Sequence, residues 1–167
     1  RAEDEEGDRE YGDGRREDAT GRPLELRLLV RETSREHVAA AGHIADWLAA
    51  VGVVIEIETL DDATLAARVW RTVDGDPRPD FDLLLWGWRG DVDPRFILST
   101  LTTESVGAWN QGGWSSAAYD ELFEEQAQTL DAVVRRDLVW RMQDVVAGEA
   151  PVVPLVYRRA LEAYDTR

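Results

Sequence analysis

The chain has 167 residues, 44% of them hydrophobic, which suits one domain with a real core. Nineteen basic residues against 34 acidic ones leave a formal charge of −15; nucleic acid and anionic membrane surfaces, which require a positive patch, are poor partners for such a chain. The absence of cysteine excludes disulfides, a thiolate zinc site and a cysteine nucleophile, and no apolar run approaches the roughly 20 residues of a membrane span.

All 19 basic residues are arginine, as in a high-GC genome or a salt-adapted proteome. The chain begins Arg1-Ala2-Glu3-Asp4 without a signal-peptide pattern, and reads as a trimmed protein or a domain cut from a longer one. Residues 1–22 are polar and rich in Gly, Asp, Glu and Arg, and are expected to form a flexible acidic lead-in. Residues 23–167 are expected to form a single α/β unit.

Within that unit, residues 24–30 (LELRLLV) form the first expected strand. Thr33 and Glu36 then have the spacing of a capping box. The helix that follows runs to about Val51, with Val38, Ala41, Ile44, Ala45 and Leu48 on its apolar face, and ends at Gly52. Residues 53–59 (VVIEIET) alternate as a second strand. Asp61 or Asp62 caps a second helix to about Arg71, residues 74–79 form a turn-rich loop, and 81–86 (FDLLLW) read as a third, buried strand. This βαβαβ order predicts a parallel sheet with strands ordered 2-1-3 and helices on its faces.

Pro94 suits the first turn of a short helix to about Leu101. Residues 102–113 form a loop. Helices are expected over 116–129 and 131–148, the latter capped by Asp131 and striped by Val134, Leu138, Met142, Val145 and Val146. A last strand is expected at 152–157, with 160–164 extending or pairing with it.

Chemistry concentrates in residues 80–94, DFDLLLWGWRGDVDP. The third strand breaks at Gly87 into a loop holding Trp88, Arg89, Asp91 and Asp93, a flat aromatic face beside carboxylates able to hold a cation. In open α/β sheets ligands bind outside the carboxyl ends of the strands, and this loop leaves one of them. Asp93, before Pro94, reads as a helix cap, and Asp82 as a carboxylate satisfying backbone groups. Trp109 and Trp114 flank a Gly-rich stretch, 110–113, and either line a ligand rim or pin the loop. Trp47, Trp70 and Trp140 read as core or interface. His37 and His43 are six apart and miss the spacing of a helical zinc pair, the Asp91/Asp93 pair lacks an EF-hand pattern, and no serine sits in a nucleophile motif. No metal or cofactor is expected.

The order of motifs resembles the carboxy-terminal lobe of extracellular solute-binding proteins of the dipeptide and oligopeptide type, solute-binding family 5, the binding components of ABC importers. The resemblance is carried by GDGRREDATGRPLELRLLV at 12–30, HIADWLAAVGVVIEIETL at 43–60, FDLLLWGWRGDVDP at 81–94, WSSAAYDELFEEQAQTLD at 114–131 and RRDLVWRMQDVVAGEAPVVPLVYRR at 135–159. It implies one lobe of a type II periplasmic-binding-protein-like fold, a fragment of a longer two-lobed receptor. It further implies a binding role rather than an enzymatic one, and an exported protein that is periplasmic or anchored at the cell surface. The implied partners are a peptide or other small solute and a membrane permease, with the receptor itself a monomer.

The family's G-W-x-x-D stretch falls on Gly87, Trp88 and Asp91. The resemblance makes Asp91 the anchor for a ligand's α-amino group and Trp88 a wall of the pocket, with Gly87, Arg89, Trp109 and Asn110 beside them. The alternatives are a carbohydrate-acting or carbohydrate-binding protein using Asp91 with Asp93 or Asp82 and stacking tryptophans, and a protein-interaction module.

Overall fold

The computed structural model describes residues 14–90 and 92–156, together with the backbone pairing of the two-residue strand β1 (Arg9–Glu10) against β2 (Arg16–Glu17). The sheet that follows is built from β3 (Glu25–Arg31), β4 (Val54–Leu60) and β7 (Leu83–Leu84), all parallel, in the order β4-β3-β7. The second strand of the βαβαβ unit lies beside the first and the third on its other side, as the sequence pattern predicts.

Two helices cover the two faces. α1 (Arg35–Ala49) joins β3 to β4, and α2 (Asp62–Val69) leaves β4. Side chains alternate along β3, so Leu28 and Val30 pack with Ala41 of α1 and Leu85. Leu29 points the other way, onto Leu65 and Val69 of α2. Burial on both faces is why residues 28–30 form an unbroken apolar run.

The ends of these elements follow from local chemistry. α1 is capped by Ser34, whose side chain accepts from the His37 N–H at 3.3 Å, so the Thr33/Glu36 capping box gives way to a cap one residue later. At the other end Gly52 is left-handed (φ +87°) and the Val53 N–H reaches back to the Leu48 carbonyl at 2.9 Å, a Schellman closure. Asp61 caps α2 through the Ala63 and Thr64 N–H groups. Residues 72–77, which overlap the loop expected at 74–79, form a hairpin of β5 (Thr72–Val73) and β6 (Asp76–Pro77), turned by Asp74 and Gly75 at φ +53° and +89°.

The approach to the sheet is held at Gly52. The Arg16 N–H donates to the Gly52 carbonyl at 2.8 Å, and Arg16 Nε donates to the Val51 carbonyl at 2.9 Å. A Cβ on Gly52 would stand 2.6 Å from the Gly14 carbonyl oxygen.

The rest of the lobe is helical: α3 (Arg95–Ser99), a 3₁₀ turn (Thr103–Ser105), α4 (Ala117–Gln128) and α5 (Ala132–Glu149). Asp131 caps α5 through Val133 and Val134. Leu98, Tyr119, Leu122, Phe123, Leu138 and Met142 form this part's core. Val134, expected on the α5 stripe, is exposed.

Of the last strand expected at 152–157, the described residues 152–156 carry no strand; Val153 and Val156 lie 73% and 80% exposed, without the burial that holds such a strand. The extension at 160–164 lies outside the described residues. Trp47 and Trp140 are exposed surface residues rather than core: Trp47 stacks on His43, and Trp140 receives the Arg136 guanidinium 4.5 Å from its ring centre.

Candidate functional site

Four ion pairs around two arginines, Arg27 and Arg68, set the strand that feeds the site. Asp82 accepts from the Arg27 N–H at 2.8 Å and from Arg27 Nε at 3.1 Å, so this carboxylate satisfies backbone at the start of β7, as expected. Arg27 also reaches Asp80, and Arg68 of α2 bridges Asp80 and Glu58. The Arg27 N–H holds the Asp82 carboxyl below its ordinary range, while the Arg27 side chain does the same for Asp80. These pairs lie at the amino end of β7, away from the loop that leaves its carboxyl end.

At that carboxyl end, rings from four parts of the chain meet. Trp86 packs on the α2-facing core and receives the Arg31 guanidinium 5.1 Å from its ring centre. Trp86 meets Trp70 at 5.6 Å and Trp88 at 6.1 Å, both edge to face. Trp88 continues to Phe96 of α3 at 5.9 Å and to Trp109 at 5.6 Å, and Phe96 touches Trp109 at 6.0 Å. Such contacts are worth about 0.5–1.5 kcal/mol each beyond the area they bury. Trp86 and Trp88 are partly buried, whereas Trp70, Phe96 and Trp109 remain 37%, 40% and 48% exposed. The result is a preformed apolar shelf with a wet outer edge, the surface against which a solute with an apolar face would pack.

The loop along this shelf is fastened at its far end. Pro94, and not Asp93 as expected, takes the cap position of α3; Asp93 stands one residue ahead and accepts from the Arg95 N–H at 2.8 Å. Both its oxygens also take the guanidinium fork of Arg135, at 2.8 and 3.0 Å. Arg135 first, and the Arg95 N–H second, hold the Asp93 carboxyl down to about 2.

Of the residues expected at the site, Trp88 and Trp109 come together. Gly87 and Arg89 are exposed beside Trp88, and Gly87 has open space where a side chain would go. Asp91 lies outside the described residues; its neighbours Gly90 and Val92 are exposed. Asn110 is 3% exposed, and its amide N–H groups donate to the Thr102 and Trp114 carbonyls at 3.1 and 2.8 Å, so it holds the loop that displays Trp109. Trp114 is turned away onto Tyr119, its indole N–H donating to Glu149 at 2.9 Å. Trp86 alternates with Trp88 along the chain, which predicts both on one side of the strand end with one of them core, and Trp86 is the one against the core. Trp70 and Phe96 are part of the shelf without having been expected there. An aromatic two residues past a helix-starting proline was the available signal for Phe96; Arg135 had none.

No protein-family model matches the chain. A curated relative, the probable deoxycholate-binding periplasmic protein YgiS of Escherichia coli strain K12, is 25% identical over 138 residues, 81% of this chain and 24% of the relative. The solved structure of NikZ from Campylobacter jejuni in complex with Ni(L-His) matches with a TM-score of 0.73 at 19% identity, over 86% of this chain and 28% of that one. The Escherichia coli murein tripeptide binding protein MppA matches with a TM-score of 0.65 at 25% identity, over 78% and 24%. The chain spans about a quarter of the length of the proteins it matches.

The fold is therefore that of one lobe of a type II periplasmic binding protein, with a parallel sheet flanked by helices. Within that class, the chain resembles the solute-binding family 5 proteins of the dipeptide and oligopeptide type, as its motifs indicate.

Proposed function

We propose that this chain is a ligand-binding lobe of the solute-capturing component of an ABC importer, acting outside the cytoplasmic membrane and delivering its cargo to a membrane permease. Residues 23–167 are the lobe, joined in a longer receptor to a second lobe. Solute lies between the two, and hinge closure buries it. The observation that carries this reading is the aromatic shelf of Trp88, Trp109 and Phe96 at the carboxyl end of the sheet.

Peptide is the favoured cargo. Asp91 pairs with its α-amino group and Trp88 walls the pocket, while Gly87 and Arg89 complete the loop. A carboxylate in a closed, dry cleft attracts an ammonium far more strongly than one in water, and removing one partner of such a pair typically costs roughly 2–5 kcal/mol. A second reading, an amphipathic solute with a broad apolar face, is favoured by the extent of the ring cluster and by the name of the curated relative.

The test is calorimetric titration of the two-lobed receptor with di- to pentapeptides, with N-acetylated copies and with deoxycholate. Binding abolished by acetylation supports peptide and the role of Asp91. Binding indifferent to acetylation removes that role, and binding of deoxycholate alone selects the second reading. A receptor that takes up none of them is not a receptor of either kind.

A further inference from the structure

Arg135 lies 42 residues from Asp93 in the chain, yet its guanidinium is held on both sides. Its Nε donates to Gln126 Oε1 at 3.1 Å. Gln126 is fully buried, and its Nε2 donates to the Phe123 carbonyl at 3.0 Å. The amide nitrogen is thus committed inward and its oxygen must face Arg135. The two remaining nitrogens of the fork close on Asp93, which accepts the Arg95 N–H in turn. Arg95 opens α3, and the next residue is Phe96, which touches both Trp88 and Trp109. A rigid path therefore runs from the core of the α4–α5 pair to the rings of the shelf.

We infer that Arg135 is a positioning residue for the solute site: through Asp93 it sets the start of α3 and hence the placing of Phe96 against Trp88 and Trp109. This rests on the reading of the shelf as the solute surface. A planar fork that meets both carboxylate oxygens fixes direction as well as distance, which a lysine ammonium cannot do. The path reaches no ring by direct contact of Arg135, so its effect is on shape, not on attraction for ligand. Gln126 serves the same end by holding the fork in its plane.

The experiment uses the two-lobed receptor with Arg135→Gln, Arg135→Lys and Asp93→Asn, and the double variant of the first and last. Asp93→Asn keeps an oxygen for the Arg95 N–H at an exposed site, so at least one variant folds. Near-UV circular dichroism of the ligand-free protein reads the ring geometry, and titration with the di- to pentapeptide pool and with deoxycholate reads the site. The expected result is an altered ring spectrum and affinity lower by about five- to tenfold in each single variant, with melting lowered at neutral pH, where the ion pair is formed, but folding retained. The double variant should be no worse than either single one, because all three break the same path. Arg135→Lys should fail to restore the spectrum. An unchanged ring spectrum in Arg135→Gln and Asp93→Asn overturns the inference, as does a changed spectrum with unchanged affinity. A wild-type receptor that binds neither probe overturns the solute reading instead, and the ring spectrum alone then decides whether Arg135 places Phe96.

Discussion

Trp70, the residue that closes α2, donates its indole N–H to the carbonyl of Ala108 at 2.8 Å while its ring meets Trp86 edge to face. One side chain thereby fastens the loop displaying Trp109 to the carboxyl end of the sheet. Trp70→Phe keeps a ring and loses the donor. Ala108 is exposed, so water replaces the lost bond, and the expected cost is about 0.5–1.5 kcal/mol in denaturant unfolding. The loop should loosen with it, raising acrylamide quenching of tryptophan emission; unaltered quenching would show that the bond does not hold Trp109.

Gly52 is left-handed, and the chain entering the lobe crosses directly over it. Gly52→Ala meets both a disfavoured backbone conformation and the Gly14 carbonyl, so a loss above about 1 kcal/mol is expected. Because the new methyl displaces residues 14–16, the Arg16 amide should lose hydrogen-exchange protection while Leu29 keeps its own. Equal loss at both would mean that the substitution acts on the whole sheet.

Acid should release Asp93. The Arg135 fork, and after it the Arg95 N–H, lower this carboxyl from 3.8 to about 2 in the folded chain. A depressed folded value means that the group's stabilisation is present above the unfolded value and is lost as pH falls through the folded one, here between about 4 and 2. Asp93→Asn should flatten the acid limb of a melting-temperature profile in that window. The pair is partly exposed, so the difference should shrink in high salt. Parallel profiles for wild type and variant at low salt would contradict the ion pair.

Tyr119 should resist base. Burial first, and the neighbouring Asp120 second, push its phenol upward from 10.0, and its hydroxyl donates to the Leu98 carbonyl at 2.8 Å. A raised folded value means stabilisation that is complete below the unfolded value and is lost as pH climbs toward the folded one. Spectrophotometric titration should therefore show Tyr119 ionising only as the chain unfolds, in a step that Tyr119→Phe removes. A tyrosine absorbance change near pH 10 that Tyr119→Phe abolishes, in folded protein, would refute its burial.

The sheet was legible because burial on both faces imposes the apolar run 28–30 and leaves a direct mark on residue type; the alternation of 53–59 marked the second strand although burial follows it only in part, Val53 being buried and Ile57 exposed. Caps were legible to within a residue: Thr33 and Ser34 carry equivalent hydroxyls, and only the backbone turn at Arg31–Ser34 decides between them. The candidate site was half legible. Trp88 and Trp109 follow from their place after a strand and in a Gly-rich loop. A tryptophan on a helix usually packs inward or against a partner, so Trp70 reads as core or interface; here the helix ends at that residue and turns it to the rim. Asn110 carries no sequence mark that separates a ligand contact from a loop brace; the carbonyls of Thr102 and Trp114 do. The Arg135–Asp93 pair joins positions 42 apart, a distance over which one sequence holds no pairing information.

Among the described residues, β4 has a neighbour on one side only, so a full-length strand carrying the half-exposed Ile57 lies open at the sheet's margin. Such margins recruit strands from other molecules unless charge keeps them apart. Glu56 stands exposed on that strand, Glu58 being taken up by Arg68, and the surplus of acid over base repels whole copies. Solubility is therefore borrowed from ionisation rather than built into the backbone, and it lapses near pH 4.5, where net charge vanishes. Self-association there should begin along β4.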